Sequence, residues 1–262
     1  MNIVNPSFEI LEQGRGELGM MQHIERCGRT CYKSLDKITP ESAKPFVENM
    51  ISRRHLAMLE HGTIYLTFPF GVGAEKYRHN KYSVVVPGES EVYVTTNFRV
   101  LVENHWEEDL KFMVEPTHYH EKRYTVKYEA SIHFYKDTTR HRVFSWAIES
   151  TRFCNYIKEK FGHSVSFAKP CWLKPEEEGE FIQDLQTIEN LYFKWLGKGW
   201  QPQQAAYFLI QGTKAEIIMT GFAKDWIHFF DLRALCTTGP AHPSVQELAK
   251  PLMEEFIYRG YI

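Results

Sequence analysis

Strand-like alternation is concentrated in the first half of the chain and the C-terminal half reads more helical, and that division limits the fold more than any other feature. Thr63-Ile64-Tyr65-Leu66-Thr67-Phe68-Pro69-Phe70 alternates polar and apolar residues, as a strand with one buried face does. Ser83–Val86, the turn Pro87-Gly88 and Val92–Val94 follow as strand, turn and strand, and Tyr124–Tyr128 is a third strand candidate. Beyond residue 175 the spacing becomes helical. Residues 175–197 form a long amphipathic segment whose first turn is acidic, which suits the helix dipole. Val245, Leu248, Leu252 and Phe256 fall on one face of a last helix. Helices are also predicted over 17–33, from Thr39-Pro40 to about Arg53, over 131–140, over 202–209 and over 223–233. Residues 215–220 fit either a strand or an apolar helix turn. Strands gathered mainly in one half imply an α+β fold, here one interwoven domain over 1–262 with a central, mainly antiparallel sheet flanked by helices.

The chain is long enough to bury a core without disulfides. Five scattered cysteines and the absence of any CxxC pair point to reduced thiols in a cytoplasmic protein and away from structural zinc. A formal net charge of −2 argues against coating nucleic acid. The first residues lack a signal peptide's basic and apolar regions, and no 18-residue apolar run occurs, so no membrane role is expected.

Against that near-neutral background stands Arg140-His141-Arg142-Val143-Phe144-Ser145-Trp146-Ala147-Ile148-Glu149-Ser150-Thr151-Arg152. Guanidinium groups donate paired hydrogen bonds to phosphate and stay charged, so the cluster suits a small phosphorylated ligand. The bland alternative is a solvated basic helix end. A glycine-rich phosphate loop of the GxGxxG or GxxxxGK kind is not expected, and so neither is a nicotinamide or ATP site of those kinds. His118-Tyr119-His120 would set two imidazoles on one face of a strand, but no nearby cysteine or carboxylate pattern supports a metal, and none is assigned. Cys154, close to Arg152, reads as a buried thiol rather than a nucleophile.

The order RHR, seven residues, Ser150, then Arg152 resembles the signature of the flavin-dependent thymidylate synthases. Arg53-Arg54-His55 with Glu60-His61 is similar to that family's flavin-contacting segment, and Asp225–Arg233 to its helix ending in a uracil-reading arginine. Glu25–Tyr32 and Ala241-His242-Pro243 with Glu247-Leu248-Ala249 also fit, so the resemblance spans about residues 20–256. It implies FAD-dependent reductive methylation of dUMP to dTMP, with 5,10-methylenetetrahydrofolate as carbon donor and NADPH as reductant. It further implies a homotetramer with active sites at subunit interfaces. In the roles it assigns, Arg233 is catalytic and reads uracil. His55, Arg140, His141, Arg142, Lys224 and His228 bind the flavin. Arg140, Glu149, Ser150, Thr151, Arg152 and Arg233 bind the nucleotide.

Some positions depart from the family pattern. Ala206 stands where the family places a phosphate-binding arginine, Ile148 and Phe222 replace polar residues, Lys224 an arginine and Asp137 a glutamine. Lys214 and Lys224 are the candidate substitutes for the missing arginine. These departures motivate two alternatives: an enzyme of the same fold that methylates or hydroxymethylates another pyrimidine nucleotide, and a non-catalytic flavin or nucleotide binder.

Overall fold

A computed structural model describes residues 1–149 and 163–262. In chain order the strands and helices are β1 (Asn2–Val4), β2 (Ser7–Leu11), α1 (Gly16–Cys31), α2 (Ala43–Ser52), β3 (Thr63–Pro69), α3 (Glu75–Arg78), β4 (Val84–Pro87), β5 (Glu91–Asn97), α4 (Phe98–Asn104), β6 (Arg123–Ser131) and α5 (Ile132–Thr138). They continue with β7 (Ser145–Ile148), β8 (Ser166–Ala168), α6 (Glu178–Gly197), α7 (Pro202–Ala205), β9 (Lys214–Phe222), α8 (Ala223–Arg233) and α9 (Pro243–Tyr258).

A four-stranded antiparallel sheet, ordered β2-β6-β9-β7, carries helices on both faces. Successive residues of β9 show why. Ala215, Ile217 and Met219 join Val126 and Tyr128 of β6 against Trp226, Phe229 and Phe230 of α8 and Leu248, Leu252 and Phe256 of α9. Ile218 points the other way, to Leu11, Ala147 and the α1 residues Cys27 and Cys31. A strand buried on both faces loses the alternation that marks a half-exposed one. That is why residues 215–220 fit two readings in the sequence and form a strand in the fold. A second antiparallel sheet, β3-β5-β4, packs on α1, α2 and α4, and a short parallel pair joins β1 to β8.

Two expectations need correction. The spacing GxGxxG does occur, at Gly14-Arg15-Gly16-Glu17-Leu18-Gly19, between β2 and α1. A Cβ on Gly19 would sit 2.1 Å from the Gly14 carbonyl carbon, so the outer glycines let loop and helix touch. β2 pairs antiparallel with β6, so this is not a parallel strand–helix–strand unit. The His118–Tyr119 pair lies in a turn, not a strand. The His120 ring is bonded to the Leu66 carbonyl and to Thr117, which commits both of its nitrogens. Among the described residues no group of three or more His, Cys, Asp or Glu could hold a metal ion, and no helix is long and apolar enough to cross a membrane.

Candidate active site

The helix predicted over 223–233 is α8, and it ends on Arg233. Its buried face, Trp226, Phe229 and Phe230, fixes where that arginine emerges. Arg233 Nε donates to His141 Nε2 at 3.0 Å, and Nη2 donates to the Asp137 carbonyl at 3.2 Å. Guanidinium has no acceptor atom, so His141 accepts through Nε2 and carries its proton on Nδ1. Burial, then the charges of Arg233 and His228, push the His141 pKa down to about 4. A neutral imidazole therefore holds a cation. Arg233 forms no ion pair among the described residues, and its described partners are both neutral. The Phe229 ring lies 5.2 Å from His141, and the exposed His228 ring 6.0 Å from it.

The backbone through Arg140-His141-Arg142 separates the three side chains. His141 points inward, while Arg140 and Arg142 are exposed and take part in no ion pair among the described residues. The chain then enters β7, which the sequence reading did not foresee inside the arginine-rich stretch.

Arg142 and Lys224 line one cavity of about 290 Å³ together with Lys81, Arg123, Ser145, Asn97 and Asp225. Among the described residues lining it, four cations face one carboxylate. Arg123 is 9% exposed, donates to the Glu60 carbonyl and to Thr63, and lies 5.3 Å over the Phe222 ring. Burial pulls its pKa down to about 10. Burial also raises the Asp225 carboxyl, against the pull of Lys224. An uncompensated cation of this kind lowers the cost of bringing in an anion. No motif singled out Arg123, because a lone arginine opening a strand has no distinguishing sequence context. The strand register puts it opposite Phe222, beside Lys224.

The remaining candidates are dispersed. His55 is exposed and lines a separate cavity of about 620 Å³ with Arg29, Tyr32, Phe46 and Arg53. His61, from the same motif, is fully buried and bonded to Thr220 at 2.8 Å, so it belongs to the core. Glu149 is buried in an ionic network: its carboxylate meets Lys33 at 3.2 Å and Lys214 at 3.8 Å, and accepts the Glu216 N–H. Lys214 is bound to Glu129 at 2.8 Å and is 11% exposed, which removes it as a replacement for the phosphate arginine. Ala206 opens a single helical turn over Ala206–Phe208. Ser150, Thr151, Arg152 and Cys154 lie outside the described residues.

A family model described as thymidylate synthase complementing protein matches residues 115–258, more than half of the chain. The chain belongs to that family. The matched span runs from just before β6 to the end of α9 and so contains the Arg233–His141 junction and most of the cationic cavity. No curated protein matches the chain. Two solved structures resemble it distantly, both of a UMP/dUMP methylase, PolB, from Streptomyces cacaoi. The one bound with 5-Br dUMP has 13% identity and a TM-score of 0.46, covering 98% of this chain and 93% of that one. The one bound with 5-Br UMP has 12% identity and a TM-score of 0.48, covering 98% and 92%. A likeness this distant fixes neither substrate nor chemistry.

Proposed function

We propose that this member of the family catalyses the FAD-dependent reductive methylation of dUMP to dTMP, with 5,10-methylenetetrahydrofolate as carbon donor and NADPH as reductant. The observation that carries the reading is Arg233, held by a neutral histidine and a backbone carbonyl rather than by a carboxylate. Carbon 5 of uracil becomes nucleophilic when the ring carries negative charge. A fixed guanidinium in a water-poor site stabilises that charge without a cysteine adding to carbon 6. His141 cannot supply this charge itself, because its pKa of about 4 leaves it neutral near pH 7.

Arg142, Lys224 and Arg123 fit the anionic part of FAD, since their cavity holds more cation than its carboxylate can cancel. Bound flavin supplies the hydride that completes the methyl group. His228, exposed beside His141, stands where it can contact the flavin ring, and Arg140 where it can reach nucleotide or cofactor. Ser150, Thr151 and Arg152 retain the nucleotide-binding roles that the family signature implies. Among the described residues, His55 and Arg142 line different cavities of one chain. A homotetramer that builds each active site from several subunits accounts for that separation.

A second reading, methylation of a different pyrimidine nucleotide, draws on Ala206 and on the engagement of Lys214 with Glu129. Losing one charge-assisted phosphate contact weakens binding by about 1.5–3 kcal/mol, or roughly ten- to a hundredfold. Release of tritium from 5-labelled dUMP, with FAD, methylenetetrahydrofolate and NADPH present, tests the main reading. Release from labelled UMP but not from dUMP would favour the second.

A further inference from the structure

A cavity of about 270 Å³ lies apart from Arg233 and from the cationic cavity. It is enclosed by β8, the start of α5, α6, the residues before β9 and the start of α9. Phe167, Phe181, Leu185 and Ile210 give it apolar walls, and the half-exposed Trp172 stands at its edge. The Trp172 ring meets His242 edge-on at 5.4 Å, and His242 lies 3.9 Å from the His133 ring. The His242 Nδ1 is tied to the Ser244 hydroxyl at 2.8 Å.

Two buried polar atoms at this cavity, Glu247 Oε1 and His133 Nε2, have no hydrogen-bond partner among the described residues, while the Cys171 thiol serves the Glu247 carboxylate from outside the cavity lining. The carboxylate nearest His133 is Asp137, at 3.9 Å. A buried acceptor left unmatched costs about 1–3 kcal/mol. An apolar slot with a few converging polar groups is the usual form of a small-molecule site. The flat aromatic walls favour a ring, and the unmatched Oε1 of a carboxylate that Cys171 already engages favours a ring edge that donates hydrogen bonds.

We propose that this cavity is a second binding site, for a planar bicyclic nitrogen heterocycle whose amino or amidine edge donates to Glu247. Its ring lies between Phe167, Phe181 and Trp172, and His133 takes a further polar group. The site does not depend on the reaction assigned above, because its lining includes none of the residues placed in that reaction.

The test uses 2-aminobenzimidazole as probe on the full chain, followed by calorimetry and tryptophan fluorescence. Saturable binding is expected with a Kd below about 1 mM. Benzimidazole, which lacks the amino donor, is expected to bind at least about tenfold more weakly, as is 2-aminobenzimidazole to Glu247→Gln. Trp172→Phe is expected to remove the fluorescence change while calorimetric binding persists. No saturable binding to the wild-type chain, or equal affinity for the two probes, overturns the proposal. Unchanged affinity in a folded Glu247→Gln variant overturns it as well. The two-probe comparison needs only wild-type protein, so it decides the matter even if the variant does not fold.

Discussion

The two ends of β9 carry charge arranged in opposite ways. At its start, Lys214 and Glu216 enter a buried network with Lys33, Lys127, Glu129 and Glu149, in which every cation has a carboxylate. Just past its end, Lys224 shares a cavity with Arg142 and Arg123, and Asp225 is the one carboxylate among the described residues lining it. Arg233, eleven residues beyond β9 at the far end of α8, is likewise held by neutral acceptors. Paired charge fastens strands and helices to each other and leaves nothing over for a ligand. Unpaired charge adds little to the frame and is available to an anion. Along one strand the chain therefore separates charge that is already paired from charge that is open to a ligand.

The largest expected effect comes from the paired end. Glu149→Ala removes the carboxylate between Lys33 and Lys214 and is expected to destabilise the fold by about 3 kcal/mol, measured by urea unfolding. If that variant unfolds at the wild-type midpoint, the network does not hold the frame. At the other end, Arg233→Ala is expected to lower turnover of dUMP roughly 10²–10³-fold while flavin stays bound. Loss of flavin together with turnover would move Arg233 from substrate to cofactor. Arg142→Ala is expected to weaken FAD binding by about ten- to a hundredfold, read by flavin titration, with stability changed by less than about 0.5 kcal/mol. A stability loss as large as that of Glu149→Ala would erase the contrast between the two ends.

A further prediction concerns pH and the buried histidines. His23 and His61 are joined through Thr125 and Thr220 by bonds of 3.0, 2.8 and 2.8 Å. Burial first, then nearby charges, lowers their pKa values to about 4 and about 3. Their folded values lie below the unfolded value of 6.5, so the unfolded chain binds more protons as pH falls. The stability they contribute is complete above pH 6.5 and is lost as pH falls toward 4 and then 3. Each contributes up to about 1.4 kcal/mol per pH unit across that window. Unfolding free energies measured between pH 7 and pH 5 should decline; a flat profile would show that these histidines are not held neutral.

Much of this was legible in the sequence, and the failures have physical causes. The helix over 223–233 was visible because its apolar face repeats at helical spacing, and Arg233 follows from where it ends. The β4–β5 hairpin was visible because Pro87-Gly88 interrupts two apolar runs. β7 was hidden because it is four residues long and sits among arginines that draw attention to charge. Glu149 and Lys214 looked like ligand groups because a sequence does not show whether a charge is already paired. Arg123 was missed for the converse reason: its lack of a carboxylate partner appears only once β6 and β9 are in register.

The contrast converges on Arg233. Its most direct test is one preparation of the Arg233→Ala variant, assayed for bound flavin by absorbance and for tritium release from 5-labelled dUMP. Retained flavin with tritium release near background is the predicted result. Tritium release at the wild-type rate would contradict the proposed role of this arginine and, with it, the reading of the unpaired charge.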